Sequence, residues 1–119
     1  MSLNVEIRGL PELVRTLERM ANFKVPMGEA IELFLQRVVF DAQAVVPVRT
    51  GRLQRSLSFW GGEGQYYVGS RLYYAPLVEF GTGRMRARPY LTPSVERNVP
   101  ALKLYLVQKV EEWLEARGR

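Results

Sequence analysis

The chain has 119 residues, the size of one domain, and its 47% hydrophobic and 24% charged residues are typical of a globular protein. Its net charge is +5, and it contains no cysteine and no histidine, which excludes disulfides, cysteine nucleophiles, the usual zinc sites and imidazole general bases. We expect a single domain over residues 1–119, with no apolar run long enough for a membrane span, no signal peptide and intracellular production.

The N-terminal part predicts a strand followed by a helix. Leu3, Val5 and Ile7 alternate with polar residues, which is the pattern of a half-buried strand, and Gly9 ends it. The next segment predicts an amphipathic helix over 10–21. Its apolar face carries Leu10, Leu13, Leu17 and Met20.

A second helix is predicted from Pro26 to Val46, where Pro47 stops it. Its broad apolar face comprises Met27, Ile31, Phe34, Leu35, Val38, Val39, Ala42 and Val45. A second stripe, nearly opposite, comprises Leu33, Phe40 and Ala44. Two stripes indicate burial on both sides, either inside the chain or against a neighbouring subunit, and we expect packing inside the chain.

The middle of the chain predicts a hairpin. Residues 47–55 are interpreted as an irregular connector with a turn at Thr50-Gly51. Strands at 56–60 and 65–70 flank a glycine-rich loop. A phosphate-binding glycine loop needs a helix directly after it, and a strand follows here, so the glycines indicate hairpin geometry.

The segment after the hairpin carries a run of arginines. Tyr73 to Phe80 predicts a short helix with Gly81 as a left-handed terminator. Arg84, Arg86 and Arg88 then alternate with uncharged residues, which would place all three guanidiniums on one side of an extended segment. Either a solvated loop or a docking arm explains this pattern.

The last helix is predicted to begin with Thr92 as N-cap and Pro93 as first helical residue. Pro100 predicts a kink, or a break into two pieces near Asn98. The inner stripe comprises Val95, Val99, Leu102, Leu106, Val110 and Trp113.

These elements together predict an α+β fold. A small antiparallel sheet, made of the N-terminal strand and a hairpin near 56–70, packs against the long helix 26–46 and a kinked C-terminal helix. The exposed sheet edge would need a partner to cover it.

The positive charge lies in the middle of the chain. Residues 49–97 hold eight arginines against three glutamates, so this segment accounts for the whole net charge of +5. Arginine forms bidentate contacts to carboxylate or phosphate. A solvated surface and a basic face toward DNA or an acidic partner both remain open, and the basic face includes Arg49 and Arg52 with the three arginines at 84–88.

No arrangement of residues indicates catalysis. Glu111 and Glu112 are adjacent on a helix and point apart, and Asp41 is the only aspartate. The tyrosine pairs at 66–67 and 73–74 suit packing more than base stacking. We expect no enzyme activity, no cofactor, no metal and no small-molecule substrate.

Two ordered blocks of residues resemble a known family. The first block runs Val-Pro-Val-Arg-Thr-Gly-Arg-Leu-Gln-Arg-Ser-Leu over residues 46–57. The second block comprises Val68-Gly69, Tyr74-Ala75, Val78-Glu79-Phe80-Gly81-Thr82 and Ala87-Arg88-Pro89-Tyr90-Leu91-Thr92-Pro93. Over about residues 40–97 the chain is similar to a small tail-component family of long-tailed bacteriophages and prophages. It departs from the family pattern at Arg49, where Asp is common, and at Tyr90 and Thr92, where Phe and Arg are common.

The resemblance implies a structural virion protein that joins head and tail or completes the tail, in the neck or tail of the virion, after assembly in the bacterial host cytoplasm. It implies three kinds of partner: further copies of the chain in a ring, neighbouring neck or tail proteins, and packaged DNA, which the chain would contact non-specifically. The signature turns would be Thr50, Gly51, Glu79, Phe80, Gly81, Thr82, Pro89 and Tyr90. A basic nucleic-acid-binding module that uses the arginine-rich middle segment is the alternative.

Overall fold

The computed structural model describes residues 9–62 and 65–118. Within these ranges the chain forms five helices and a two-stranded antiparallel sheet, which confirms the α+β class. The elements are α1 (Leu10–Asn22), α2 (Gly28–Val45), α3 (Arg52–Ser56), β1 (Ser58–Gly62), β2 (Gln65–Gly69), α4 (Ala75–Phe80) and α5 (Leu91–Arg117). The predicted N-terminal strand lies outside the described residues, so the sheet that is seen is the hairpin alone.

The core lies where α2 packs against α5. The two helices run antiparallel, since Lys109 lies 3.1 Å from Glu29 near the start of α2. At the other end of the pair, the side-chain amide of Asn98 donates to the Asp41 carboxylate at 2.7 Å. The helix α1 also packs against this core, and the Lys103 ammonium of α5 reaches the Glu12 carboxylate of α1 at 3.5 Å. The main core cluster comprises Leu13, Met20, Val25, Ala30, Phe34, Leu35, Val38, Val95, Val99, Leu102 and Leu106.

The predicted inner face of α2 is largely confirmed, but its second stripe is not packed inside the chain. Leu33 and Phe40 are 45% and 67% exposed, and Ala44 is exposed beside them. Val45, which the periodicity assigned to the inner face, is also exposed at the end of the helix. The expectation of intrachain packing is therefore wrong, because no element of the described chain covers this side of α2.

The predicted irregular connector contains a short helix, α3. It begins after Gly51, whose φ of +79° is a left-handed conformation that favours glycine. Reciprocal hydrogen bonds tie it to α2: Gln54 Nε2 donates to the Gln43 carbonyl at 2.9 Å, and Gln43 Nε2 to the Gln54 carbonyl at 3.2 Å. The helix buries Leu53 in a second, smaller core cluster.

The predicted hairpin is confirmed, with β1 starting two residues later than expected. Phe59 pairs with Val68 and Gly62 with Gln65. Phe59, Tyr66 and Val68 pack against the main core, which fixes the inner face of the hairpin. The glycines at 61 and 62 thus belong to the end of a strand and not to a phosphate-binding loop.

The last helix is continuous through Pro100, so of the two predicted outcomes near Asn98, a kink or a break, the break does not occur. Asn98 and Val99 are buried before the proline, and Leu102 and Leu106 are buried after it. Tertiary packing on both sides holds the two halves in one helix despite the hydrogen bond that proline cannot donate. No helix in the described ranges combines the length and apolar character that crossing a membrane requires.

Candidate functional site

The carboxylate of Glu79 caps α5 from a different helix. Glu79 lies in α4 and is 6% exposed. Its Oε2 accepts the backbone N–H groups of Tyr90 at 2.7 Å and Leu91 at 3.0 Å, and its Oε1 accepts that of Thr92 at 2.7 Å. The first N–H groups of a helix have no partner within the helix and carry partial positive charge, so a carboxylate is well suited to this position.

Tyr90 completes this junction. Its side chain is 2% exposed, and its hydroxyl donates to the Ala75 carbonyl at 3.0 Å. The Ser94 hydroxyl in turn donates to the Tyr90 carbonyl at 2.6 Å. Burial and the nearby Glu79 carboxylate raise the pKa of Tyr90 from 10.0 to about 12. The start of α5 is thus fixed to both ends of α4.

The predicted N-cap of the last helix is wrong. The helix begins at Leu91, one residue before the predicted cap Thr92, and Tyr90 occupies the N-cap position without a side-chain bond of its own. The local pattern Thr92-Pro93 resembles a cap, but the long-range carboxylate of Glu79 satisfies these donors instead.

The loop over residues 81–89 is closed by its own hydrogen bonds. The Thr82 hydroxyl accepts from the N–H groups of Arg84 and Met85 at 3.2 and 3.0 Å, and the Thr82 N–H donates to the Met85 carbonyl at 2.8 Å. Gly81 has a φ of +77°, and a Cβ there would lie 2.7 Å from the Ala87 nitrogen. Its ψ of 177° means that it is not the left-handed terminator that was predicted, although the positive φ still requires glycine.

This loop exposes its arginines without forming a strand. Residues 82–89 are exposed, and the chain bends at residues 83–85. Alignment of the Arg84, Arg86 and Arg88 guanidiniums would require an extended segment, and because the chain bends here, their alternation alone does not place them on one side. The backbone of Arg88 is held by its N–H donating to the Val78 carbonyl at 2.8 Å.

The two sequence blocks meet in one cleft of about 340 Å³, which we call the arginine cleft. Its lining comprises Pro47, Arg49, Thr50, Gly51, Leu53, Tyr74, Val78, Met85 and Arg88. Of the five candidate arginines, Arg49 and Arg88 line this cleft, whereas Arg52, Arg84 and Arg86 do not. None of the five forms an ion pair with another described residue. Such unpaired guanidiniums suit a carboxylate or phosphate from a partner.

The remaining signature residues shape this region. The Thr50 hydroxyl accepts the Arg52 N–H at 3.3 Å, which closes the turn before α3. Phe80 is 40% exposed at the end of α4, and Pro89 is exposed just before the buried Tyr90. We interpret these residues as structural, because they shape the cleft and the segment that leads into α5.

The aromatic residues near the hairpin contact one another. Trp60 stacks on Tyr67 with ring centroids 6.0 Å apart, and the Arg71 guanidinium lies 4.5 Å above the Trp60 ring. Tyr73 packs edge-on against Tyr74 at 5.3 Å and remains 86% exposed. Among the described residues, no cluster of three or more acidic side chains could hold a metal ion.

Comparison with known proteins identifies one family. A family model described as "HK97-gp10_like: Bacteriophage HK97-gp10, putative tail-component" matches residues 12–81, which is more than half of the chain. The match runs from the first turn of α1 through α4 and ends with Gly81. It therefore includes Arg49, the turn at Thr50-Gly51 and the capping residue Glu79. Neither a curated protein nor a solved structure matches the chain at significance.

Proposed function

The chain belongs to the HK97-gp10-like family of bacteriophage tail components, and on that premise we propose that it joins head and tail or completes the tail as a subunit of a homo-oligomeric ring. The family assignment makes it a structural protein of the phage tail with a place in the virion. The specific role in head–tail joining or tail completion, the ring and the absence of catalysis are our proposal. We further propose the neck or tail as its location, and the host cytoplasm as the place of assembly.

The main support for the proposed ring is the exposure of apolar side chains on two different faces. Phe40 on α2 is 67% exposed, and Leu104 on α5 is 71% exposed. A ring of identical subunits uses a different patch on each side of the subunit, and each patch must be partly apolar or complementary in charge.

The arginine cleft supports a second contact. Arg49 and Arg88 project into a cleft whose floor is partly apolar, with Leu53 and Val78 among its lining. We propose that the arginines of this region, including those of the loop over 81–89, meet acidic groups of a neighbouring neck or tail protein, or the phosphates of DNA that passes through the ring. Contact with phosphate would be non-specific and sensitive to salt.

Electron microscopy of particles that lack this protein tests the role in assembly. We expect separated heads and tails, or tails with an incomplete end, and restoration of normal particles when the wild-type chain is supplied in trans. Normal infectious virions without the protein would refute the proposal. If, in addition, a stable monomer binds DNA in a salt-dependent manner, the chain is instead a basic nucleic-acid-binding module.

A further inference from the structure

We propose that the exposed stripe of α2 in one copy docks into the groove between α1 and α5 of a second copy, as the repeating contact of the ring. This inference rests on the proposed function, because it names the surfaces through which the ring would form. The contact is heterologous, with a different surface from each copy.

The α2 stripe consists of Leu33, Arg37, Phe40 and Ala44. Steps of four, three and four residues place these side chains on one side of a helix. All four are exposed, with Phe40 at 67% and Leu33 at 45%. The core residues Phe34 and Val38 lie on the other side of α2.

The α5 stripe consists of Leu104, Val107, Glu111 and Leu114. Steps of three, four and three residues again place them on one side of the helix. The three apolar members are 71%, 55% and 55% exposed. Like the α2 stripe, this stripe has three apolar residues and one charged residue.

The α5 stripe borders an apolar groove of about 360 Å³ between α1 and α5. The groove is lined by Thr16, Met20, Lys103, Leu106, Val107, Val110 and Glu111. Its apolar floor suits a protruding aromatic side chain, and Phe40 is the most exposed large apolar residue of α2. The residues that line the groove come from α1 and α5 and include none from α2, so the groove and the α2 stripe are separate surfaces.

The charges of the two surfaces identify a second copy as the occupant. Arg37 lies within the α2 stripe and Glu111 lies at the rim of the groove, and neither forms an ion pair with another described residue. The other charged residue of the groove, Lys103, already contacts Glu12 at 3.5 Å. Docking would therefore bring an unpaired guanidinium to an unpaired carboxylate.

The same charges disfavour symmetric pairing. Two α2 stripes face to face would oppose Arg37 with Arg37, and two α5 stripes would oppose Glu111 with Glu111. Like charges across an interface repel each other, so the heterologous arrangement is preferred. A heterologous contact repeats around a ring, whereas a symmetric contact stops at a dimer.

Engineered disulfides test the contact directly, because the chain has no cysteine of its own. Phe40→Cys and Val107→Cys would be prepared as separate variants, mixed at the highest soluble concentration and oxidised. We expect a covalent dimer that contains one of each variant, identified by mass. The matched control is Leu77→Cys, a 44% exposed position on α4, which should not cross-link to Val107→Cys. Equal or greater homodimer formation by either single variant, or no mixed dimer, would overturn the proposal.

Charge reversal gives an independent test by sedimentation of the full chain. Arg37→Glu alone and Glu111→Arg alone should each weaken self-association by about tenfold or more. A mixture of the two variants should restore it, since every contact in an alternating ring then pairs opposite charges. Undiminished self-association of each variant alone, or failure of the mixture to recover, would contradict the inference.

These outcomes are separable from the proposed role in the virion. If particles without the protein are defective but neither cross-linking nor charge exchange succeeds, the family role stands and the named contact is wrong. In that case the two stripes are occupied by a different tail protein. If particles without the protein are normal, the proposed role fails regardless of how the purified chain associates.

Discussion

Glu79 is a buried carboxylate whose charge is compensated by backbone dipoles. Its two oxygens accept three N–H groups at distances between 2.7 and 3.0 Å. Hydrogen bonds to a charged group contribute more than neutral ones, and a carboxylate at a helix N-terminus also gains from the helix dipole. The residue therefore acts as a structural clamp between α4 and α5.

We predict that Glu79→Gln lowers the free energy of unfolding by about 2 kcal/mol. The amide removes the charge and replaces one accepting oxygen by an NH2 donor, which then faces backbone N–H groups that can only donate. Urea unfolding followed by circular dichroism measures the change. Glu115→Gln, at an exposed position on α5, is the control and should change the stability by less than about 0.5 kcal/mol. Equal stability of both variants would contradict the clamp.

We predict that Tyr90 makes the fold sensitive to alkali. Its folded pKa of about 12 lies above its ordinary value of 10.0, so the folded state holds the proton more tightly than the unfolded state. The stabilisation is complete below pH 10 and is lost as the pH rises from 10 to about 12. Unfolding measured across this range should show a loss of about 2 kcal/mol from this residue.

Tyr90→Phe is the matching control for the alkaline effect. It removes the titrating hydroxyl and its bond to the Ala75 carbonyl, at a cost of about 1 kcal/mol near neutral pH. Its stability should then fall less steeply than that of the wild type above pH 10. If both proteins lose the same free energy of unfolding above pH 10, the effect comes from other tyrosines.

At the scale of whole elements, sequence periodicity predicts which residues share a face but not what covers that face. The helices α1, α2 and α5 and the hairpin follow from apolar spacing and turn residues. The exposure of Phe40 does not follow, because periodicity is the same for an intrachain and an intermolecular face. The helix α3 was missed because five residues are too few to show a period.

The start of α5 shows a different limit of sequence reasoning. The family pattern singled out Glu79 and Tyr90, but their contact joins the Glu79 carboxylate to the backbone N–H of a residue 11 positions later, in a different element. Capping rules consider neighbours within one turn, so they selected Thr92. A single glutamate in a short and otherwise apolar helix is the signal that could have indicated a long-range cap, since burial of that helix would require a partner for the carboxylate.

We predict that Pro100→Ala stabilises the protein by about 1–3 kcal/mol. Pro100 is exposed inside a continuous helix, where it removes one backbone hydrogen bond and gains no burial in return. Thermal unfolding measures the effect. Gln108→Ala, another exposed position of the same helix, should change the stability by less than about 0.5 kcal/mol. No gain over this control would show that the helix accommodates the proline without cost.

Over the residues that the structure describes, the molecule is elongated, with extents of 60 × 25 × 22 Å. Its positive charge is contributed by residues 49–97, and the fold brings Arg49 and Arg88 from the two sequence blocks into one cleft. This shape and charge distribution are compatible with the proposed subunit, which would meet different neighbours on different sides.

We predict that the triple variant Arg84→Ala, Arg86→Ala, Arg88→Ala folds normally but impairs assembly or DNA contact. Exposed charges contribute little to stability, so urea unfolding should change by less than about 1 kcal/mol. Complementation of particles that lack the protein measures the loss. The double variant Arg15→Ala, Arg19→Ala removes exposed charges from α1 and is the control. Normal assembly by a soluble triple variant would show that the loop arginines are merely solvated.

The closure of the loop over 81–89 has a consequence for how such a chain can vary. The bond from the Arg88 N–H to the Val78 carbonyl and the Glu79 contacts at the start of α5 fasten the base of the loop. The loop tip at Gly83 has open space around it, since an added Cβ there would meet no atom within 4 Å. We therefore expect insertions at the tip to leave the packing of the helices unchanged.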